Sequence, residues 1–283
     1  MKILTVNIVP WFRIDKSVRE KFFKLFMQKG IIDGETKYWE KGDKGGEERA
    51  DRILSLIDCQ KPDIVFFIEQ GWPPYTRVIE KMELPESEYE IVIPDNYMHN
   101  GNGTYSGVTA AIKKEYKERC PEMKDGPMKE EDVRRVVPAK KTAQFLRLTI
   151  DGQIFLGVHY PPFGKDRDGI NYYPDFHEGI QAYVAKEKPL MVIGDFNPLP
   201  GAEYEIDGYE DVLPKKYDKD GEQIGTYAND NKLDYIFVSE KFLSEGGCKP
   251  TAKQIDETRT HDDDLFFSDH SATMVTLDLP SKQ

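Results

Sequence analysis

The chain has 283 residues, of which 39% are hydrophobic, and a formal net charge of −12. A chain of this length and composition can bury a sizeable core. The negative net charge argues against a protein that binds nucleic acid over its whole surface through counterion release. The three cysteines form no CxxC pair, which argues against a disulfide framework and favours a reducing cytosol.

The apolar segments of the chain are short and evenly spread. No apolar run approaches the roughly 20 residues that a membrane span needs. Residues 1–9 are too short for a signal peptide and lack its cleavage pattern. We therefore expect a cytoplasmic protein without stable membrane association. With no Ser/Gly-rich linker and no repeat, we also expect a single domain over residues 1–283 and a monomer.

The first third of the chain is predicted to begin with a buried strand at 3–9, where apolar residues run almost without interruption. Helical spacing predicts an amphipathic helix at 15–29, and a charged, glycine-rich loop follows at 38–48. Much of this region is interpreted as an insertion around 12–46. The elements predicted next are a helix at 47–58, a strand at 64–68, a helix at 73–82 and a strand at 89–93.

The rest of the chain has a hydrophobic period nearer two, which is typical of strands. Asp151-Gly152 is a strong signal for a two-residue hairpin, and 171–186 is helical in its later part. The basic residues Arg134, Arg135, Lys140 and Lys141 are interpreted as a solvated strand face. The predicted strands are 108–112, 132–137, 143–150, 154–159, 190–193, 233–238 and 272–277. This mixture favours two sheets with helices outside.

Carboxylates and amides follow several of these strands. Glu69 ends a wholly apolar strand, where an unpaired carboxylate would be costly to bury. It is either a strand-end acid facing water or a Mg²⁺ ligand, because Mg²⁺ takes one or two carboxylates plus waters and phosphate oxygens. Asp195 emerges after Gly194 at a strand end, and Asn197 follows. Such groups can hold a divalent cation and activate water for phosphoryl transfer.

Four short motifs in one order resemble the endonuclease/exonuclease/phosphatase superfamily, the DNase I-like proteins. The motifs are Thr5-Val6-Asn7, Glu69, Gly194-Asp195-Phe196-Asn197 and Ser268-Asp269-His270, with His159 and Asp234 between them. The resemblance covers nearly the whole chain. It implies a four-layer α/β/β/α sandwich of two mixed β-sheets. It also implies a phosphoesterase with Mg²⁺, or alternatively Mn²⁺, as its cofactor.

The resemblance gives roles to the groups around the metal and the attacking water. Asp195 would orient or deprotonate the water, and Asn197 would help to hold the water or the phosphate. Glu69 would bind the metal, and Asp269 would lie near the metal or the water. Asn7 would hydrogen-bond the phosphate or the carboxylates of the metal site.

The two histidines of the set would face the phosphate. His270 would contact the scissile phosphate and be oriented by Asp234, because a carboxylate fixes the tautomer and charge of an imidazole. His159 would stabilise the pentacoordinate transition state. Taken alone, each histidine could equally lie in an ordinary loop or cap a strand end.

The sequence departs from its relatives in ways that bear on the substrate. Ile68 stands where the family usually has Gln before the metal-binding Glu. Val9 occupies the third place of the Asn-x-Asp segment of apurinic-site endonucleases and tyrosyl-DNA phosphodiesterases, so that second first-strand ligand is missing. The Trp-containing and Cys-Asp-Arg motifs of inositol-polyphosphate 5-phosphatases are also absent.

The substrate would meet the loops at the strand-end face. Residues 160–176 interleave aromatic and basic side chains, including Phe163 and Tyr173. This composition suits base stacking with phosphate contact, although ordinary loop packing is the simpler interpretation. The candidate substrate-binding residues are Tyr160, Tyr172, Lys165 and Arg167.

These observations predict a Mg²⁺-dependent phosphodiester hydrolase, a nuclease acting on DNA or RNA by in-line attack of a water activated by Asp195. One alternative is a phosphoesterase acting on a small nucleotide, a lipid headgroup or a phosphomonoester. Another is a non-catalytic binding module on the same fold. Specificity resides in loops, so the sequence does not name the substrate.

Overall fold

Two mixed β-sheets form the centre of the computed structural model, which describes residues 1–8, 44–70, 76–94, 107–165, 169–198, 202–221, 223–227, 231–245, 249–258, 268 and 270–279. From edge to edge, the first sheet contains β12 (Thr251–Ile255), β13 (Ala272–Thr276), β1 (Lys2–Asn7), β2 (Ile64–Gln70), β4 (Gly107–Lys113) and β3 (Tyr89–Val92). The second contains β5 (Phe145–Ile150), β6 (Gln153–His159), β7 (Met191–Asp195), β11 (Asp234–Ser239) and β8 (Tyr209–Asp211). A separate hairpin pairs β9 (Lys216–Tyr217) with β10 (Gln223–Ile224).

The helices of the described residues lie outside the sheets or in the connections between strands. They are α1 (Lys44–Gln60), α2 (Thr76–Glu83), α3 (Glu122–Asp125), α4 (Glu130–Val133), α5 (Tyr173–Glu187) and α6 (Glu240–Glu245). Short 3₁₀ turns occur at Lys114–Tyr116, Ala139–Gln144 and Asp256–Thr258. No helix in these ranges is both long and apolar enough to cross a membrane.

Three apolar clusters define four layers. The first lies between the sheets, where Phe66 of β2 packs with Ile193 of β7 and their neighbours. A second fills the outer face of the first sheet beneath α1, to which Ile53 contributes. The third fills the outer face of the second sheet beneath α5, to which Phe176 and Ile180 contribute. The predicted α/β/β/α sandwich is thereby confirmed.

Each sheet has one parallel pair of strands at its centre. In the first sheet β1 and β2 are parallel, and in the second β6 and β7 are parallel. Parallel strands end at the same edge of a sheet, so the residues that follow them are brought side by side. This arrangement positions the strand-end residues described below.

One predicted strand, 132–137, is wrong. Val133 and Val137 are both buried, but they lie four residues apart and face α5, joined by a Val137 N–H···O=C Val133 hydrogen bond of 2.9 Å. Their spacing is helical, and it can be mistaken for the period of two. The basic stretch from Arg134 to Lys141 therefore lies on turns beside α5 and not on a strand face.

The predicted loop at 38–48 can be compared with the structure from Lys44 onward. It is wrong there, because α1 already begins at Lys44. The helix extends back from Ala50 through Gly46 and Gly45 to Lys44. The predicted helix at 15–29 and most of the predicted insertion at 12–46 lie outside the described residues. The remaining predicted strands and helices are found with small shifts at their ends.

Candidate active site

Polar side chains gather where the central strands of both sheets end. Asn7 ends β1 beside Ile68 of β2, so Glu69 follows directly on the neighbouring strand. In the second sheet His159 ends β6 directly opposite Asp195, which ends β7. Asp234, the first residue of β11, also pairs with Asp195. The topology therefore brings five residues predicted from separate motifs to one end of the sandwich.

Glu69 is aimed into this site by an irregularity in its strand. The register between β2 and β4 shifts between Phe67 and Gln70, and Glu69 has a φ of 56°. Positive φ is uncommon for a residue with a side chain and is often found at functional positions. A bulge of this kind re-aims a side chain. As a result, Glu69 Oε1 lies 3.3 Å from His159 Nε2, which belongs to the other sheet.

Gly194 lets β7 come close to β6 before Asp195. It has a φ of 141°, and a Cβ atom at this position would overlap the carbonyl oxygen of Val158. Asp195 then follows with only 2% of its surface exposed. Its Oδ1 accepts the backbone N–H of Asn197 at 2.9 Å, and its Oδ2 accepts the Asn197 side-chain amide at 3.1 Å. The same amide also donates to the Tyr160 carbonyl at 2.9 Å, so Asn197 fixes the carboxylate to its surroundings.

Burial raises the pKa of Asp195 to about 7, although the neighbouring His270 and His159 act to lower it. The negative charges of Asp234 and Glu69 add to the rise. A carboxylate whose pKa lies near neutrality can accept a proton from water more readily than an ordinary one. This is the property that a general base at this position needs.

His270 is held by a carboxylate. Its Nδ1 donates to Asp234 Oδ2 at 2.7 Å, and both residues are almost fully buried. This leaves Nε2 facing the site, 4.0 Å from Asp195 Oδ2. The backbone around the pair is fixed by two hydroxyls: Thr226 Oγ1 accepts the Asp234 N–H at 3.0 Å, and Ser268 Oγ accepts the His270 N–H at 3.0 Å.

His159 is held by an amide, which the sequence did not point to directly. Its Nδ1 lies 3.3 Å from the side-chain nitrogen of Gln144, and its Nε2 lies 3.7 Å from Asp195 Oδ2. The signal that could have found Gln144 is the Asp151-Gly152 turn. A two-residue turn places Phe145 opposite Val158, and one further step places Gln144 opposite His159.

Asn7 presents an unpaired amide to the site. It is 3% exposed, and neither its Oδ1 nor its Nδ2 has a hydrogen-bond partner among the described residues. Buried polar atoms without partners call for an explanation such as a bound ion or water. Ser268 Oγ donates to the Asn7 carbonyl at 2.8 Å and so ties β1 to the segment that carries His270.

The donor set near Asn7 fits a hard divalent cation. Glu69 supplies a carboxylate on the adjacent strand, and Mg²⁺ commonly takes one or two carboxylates and completes its shell with waters and phosphate oxygens. Within the described part of the chain, no three acidic, histidine or cysteine side chains converge as a full set of metal ligands. Asp269, the second predicted metal residue, lies outside the described residues.

Two of the predicted substrate contacts are corrected by the structure. Successive residues of a strand point to opposite faces, so Tyr160 points away from the site that His159 faces. It is fully buried under α5, where its hydroxyl meets that of Tyr204. Tyr172 is 8% exposed, and the Lys141 ammonium lies 5.1 Å above its ring. The rings of Tyr160 and Tyr172 are therefore not available for stacking with a base.

The exposed aromatic of this loop is instead Phe163, which is 52% exposed. Its ring contacts Tyr173 with 5.5 Å between centroids. Tyr173 packs in turn on Tyr160, whose backbone is bonded to Asp195 and Asn197. Burial and then the negative charge of Asp195 raise the pKa of Tyr173 to about 12. We call Phe163 and Tyr173 the aromatic shelf.

The predicted basic contacts of the loop are only partly described. Lys165 is exposed, two residues beyond Phe163. Arg167 lies outside the described residues. Because Lys165 is exposed and follows Phe163 closely in the sequence, it remains a candidate phosphate contact.

Comparison with known proteins gives matches among solved structures. No protein-family model and no curated protein sequence matches the chain. An AP endonuclease from Archaeoglobus fulgidus is 17% identical, with a TM-score of 0.54, and the match covers 99% of this chain and 100% of that one. A 3′ phosphatase from Neisseria, bound to a product DNA hairpin, is 16% identical with a TM-score of 0.54 and the same coverage.

A third match carries the family name. It is an endonuclease/exonuclease/phosphatase family protein from Leptotrichia buccalis, 16% identical with a TM-score of 0.52, covering 99% of this chain and 100% of that one. At such identities the similarity establishes the fold. The chain therefore has the DNase I-like fold of these structures, the four-layer sandwich that the resemblance implied.

Proposed function

We propose that this protein is a Mg²⁺-dependent phosphodiester hydrolase that acts on nucleic acid. The observation that carries the proposal is the convergence of four side chains at one end of the sandwich: Glu69 lies 3.3 Å from His159, His159 lies 3.7 Å from Asp195, and Asp195 lies 4.0 Å from His270. A binding module would gain nothing from burying two carboxylates and two imidazoles so closely, since such groups are costly to desolvate. A buried carboxylate with a raised pKa in such a cluster is typical of catalytic sites.

Glu69 and the Asn7 amide are the proposed holders of Mg²⁺, or of Mn²⁺ in its place, with Asp269 as a further ligand. The ion, when bound, supplies positive charge against the phosphate oxygens. The orientation of Glu69 is set by its backbone, because the positive φ at the bulge turns its carboxylate inward. The unpaired Asn7 amide supports the assignment independently.

Asp195 is the proposed general base. It takes a proton from the attacking water, and its raised pKa supports this role. Asn197 holds the carboxylate through two hydrogen bonds and keeps it fixed while the water approaches. A fixed base and a fixed phosphate allow in-line attack with little loss of entropy at the transition state.

The two histidines are the proposed phosphate contacts. His270 donates its Nδ1–H to Asp234. The protonated ring, which that carboxylate stabilises, also has an Nε2–H that it can donate to a phosphate oxygen or to the leaving oxygen. His159 Nε2 lies near the same Asp195 oxygen as His270 Nε2, at 3.7 Å and 4.0 Å respectively. Donors placed where charge develops stabilise the transition state more than the substrate.

A nucleic acid is the favoured substrate because the aromatic shelf packs on Tyr160, whose backbone is hydrogen-bonded to Asp195 and Asn197. Phe163 and Tyr173 offer a ring face and edge for a base, and Lys165 can contact a neighbouring phosphate. The Neisseria neighbour is described as bound to a DNA hairpin. The net charge of −12 disfavours tight binding along a long duplex, so short or single-stranded substrates are expected.

A phosphomonoesterase is the second candidate, and one finding favours it: the Neisseria neighbour is named a 3′ phosphatase. The same residues could act on a terminal phosphate, a small nucleotide or a lipid headgroup.

The test is hydrolysis of bis-p-nitrophenyl phosphate and p-nitrophenyl phosphate, each with Mg²⁺, with Mn²⁺ and with EDTA, by the wild type and by Asp195→Asn. Diester cleavage that needs metal and disappears in the variant supports the proposal. A preference for the monoester supports the second candidate. Activity that survives EDTA or the Asp195→Asn substitution contradicts the proposed mechanism.

A further inference from the structure

Gln144 is buried against a histidine of the site. It is 3% exposed and ends the 3₁₀ turn that precedes β5, while His159 is 1% exposed. The Gln144 side-chain nitrogen lies 3.3 Å from His159 Nδ1. With both groups buried, water competes little for this hydrogen bond, so the amide determines how the ring is held.

The burial of the Gln144 amide lowers the stability of the fold unless its hydrogen bond to His159 has a function. Gln144 Oε1 is buried without a hydrogen-bond partner among the described residues. Leaving a buried polar atom unpaired destabilises the folded protein, and an apolar side chain of similar volume would avoid that cost. Only the bond to His159 gives the amide a function at this position.

The amide also determines which ring nitrogen carries the proton. When Gln144 donates to Nδ1, that nitrogen acts as the acceptor, and the proton of the neutral ring lies on Nε2. Nε2 is the atom that faces Glu69 Oε1 at 3.3 Å and Asp195 Oδ2 at 3.7 Å. The ring therefore presents an N–H donor to the space between the two carboxylates.

The other histidine is held by a different kind of group. His270 has an acidic partner, Asp234, at 2.7 Å, whereas His159 has an uncharged one. We infer that Gln144 is a positioning residue, which holds the His159 ring with its Nε2–H directed at the scissile phosphate. The inference rests on the proposed function, in which His159 contacts that phosphate.

The kinetic test compares Gln144→Met with the wild type on bis-p-nitrophenyl phosphate. Met has a similar length but cannot donate to Nδ1. We expect kcat to fall about 10- to 100-fold, as for other supporting partners of site histidines, with KM within about twofold. Thr142→Val is the matched control, because Thr142 is a buried polar residue of the same turn. It should keep wild-type kcat.

A double-mutant cycle separates positioning from general loss of structure. In a His159→Ala background, Gln144→Met should change kcat by less than about twofold, because the group that it positions is already gone. If Gln144→Met causes the same fold loss with and without His159, the inference is overturned. Melting temperatures of the single variants at or above that of the wild type exclude unfolding as the cause.

A second readout does not depend on turnover. Long-range ¹H–¹⁵N spectra of the wild type should show His159 protonated at Nε2, the signal being assigned with His159→Gln. In Gln144→Met we expect a mixture of tautomers. An Nδ1-protonated ring in the wild type, or an unchanged spectrum in the variant, overturns the inference. These spectra remain informative if the wild type cleaves neither test ester, so failure of the proposed function is distinguishable.

Discussion

The carboxylate of Glu69 lies 3.3 Å from Nε2 of His159, although the two residues belong to different sheets of the sandwich. Glu69 reaches this position from a bulge in β2, and His159 ends β6 in register with Asp195. The site therefore depends on the stacking of the two sheets as well as on the strands of either one. Phe66 and Val108 of the first sheet lie directly against Gly157 of the second, where a Cβ atom would not fit.

Replacing Glu69 should reduce catalytic activity without lowering the stability of the fold. Asn tolerates positive φ better than most residues, so Glu69→Asn should fold at least as well as the wild type while losing the proposed metal carboxylate. We expect kcat/KM on a diester to fall at least about 100-fold. Mg²⁺ should raise the melting temperature of the wild type but not of the variant. Glu90→Gln, at an exposed ion pair on β3, is the control and should behave as the wild type.

The buried Asp195 should make stability depend on pH. Its folded-state pKa is about 7, above its ordinary value of 3.8. Well below pH 3.8 the carboxyl is neutral in both states. As pH rises toward 7, the unfolded state releases its proton first, so the folded state loses stability. Asp195→Asn removes this loss.

The stability gain of Asp195→Asn should therefore be near zero at pH 4 and reach the order of a few kcal/mol by pH 8. Urea denaturation of both proteins in EDTA at pH 4, 6 and 8 measures it. A gain that is the same at every pH would show that the ionised carboxylate is not the cause. The variant should be inactive throughout.

Gly194 should tolerate no side chain. Its φ of 141° and the Val158 carbonyl leave no room for a Cβ atom, so Gly194→Ala should lower the free energy of unfolding by at least about 2–3 kcal/mol. The displaced strand end should also reduce activity through Asp195. Gly152→Ala is the control: its φ is also positive, but nothing lies within 4 Å of the added atom. A loss of only about 1 kcal/mol is expected there, and equal losses would contradict the steric explanation.

The sequence predicts what depends on local pattern. The apolar run before Gly194 places Asp195 at a strand end, and the Asp151-Gly152 turn is found with φ values of 54° and 82°. The sequence does not predict which face of a sheet a residue near a strand end occupies. The aromatic and basic composition of 160–176 predicts a substrate contact at Tyr160, but strand alternation points its side chain under α5. No local pattern marks Gln144. Its contact with His159 can be predicted only by following the register of the β5–β6 hairpin from the turn to the opposite end.

The aromatic shelf should distinguish a nucleic acid from a small ester. Removing the exposed ring with Phe163→Ala takes away a stacking surface worth about 1–3 kcal/mol per base, so KM for a short single-stranded oligonucleotide should rise about 5- to 100-fold. Hydrolysis of bis-p-nitrophenyl phosphate should change little, because that ester has no base. Tyr217→Ala removes a similarly exposed ring from the β9–β10 hairpin and should leave both substrates unaffected. Equal losses on both substrates would mean that Phe163 supports the site structurally and does not bind a base.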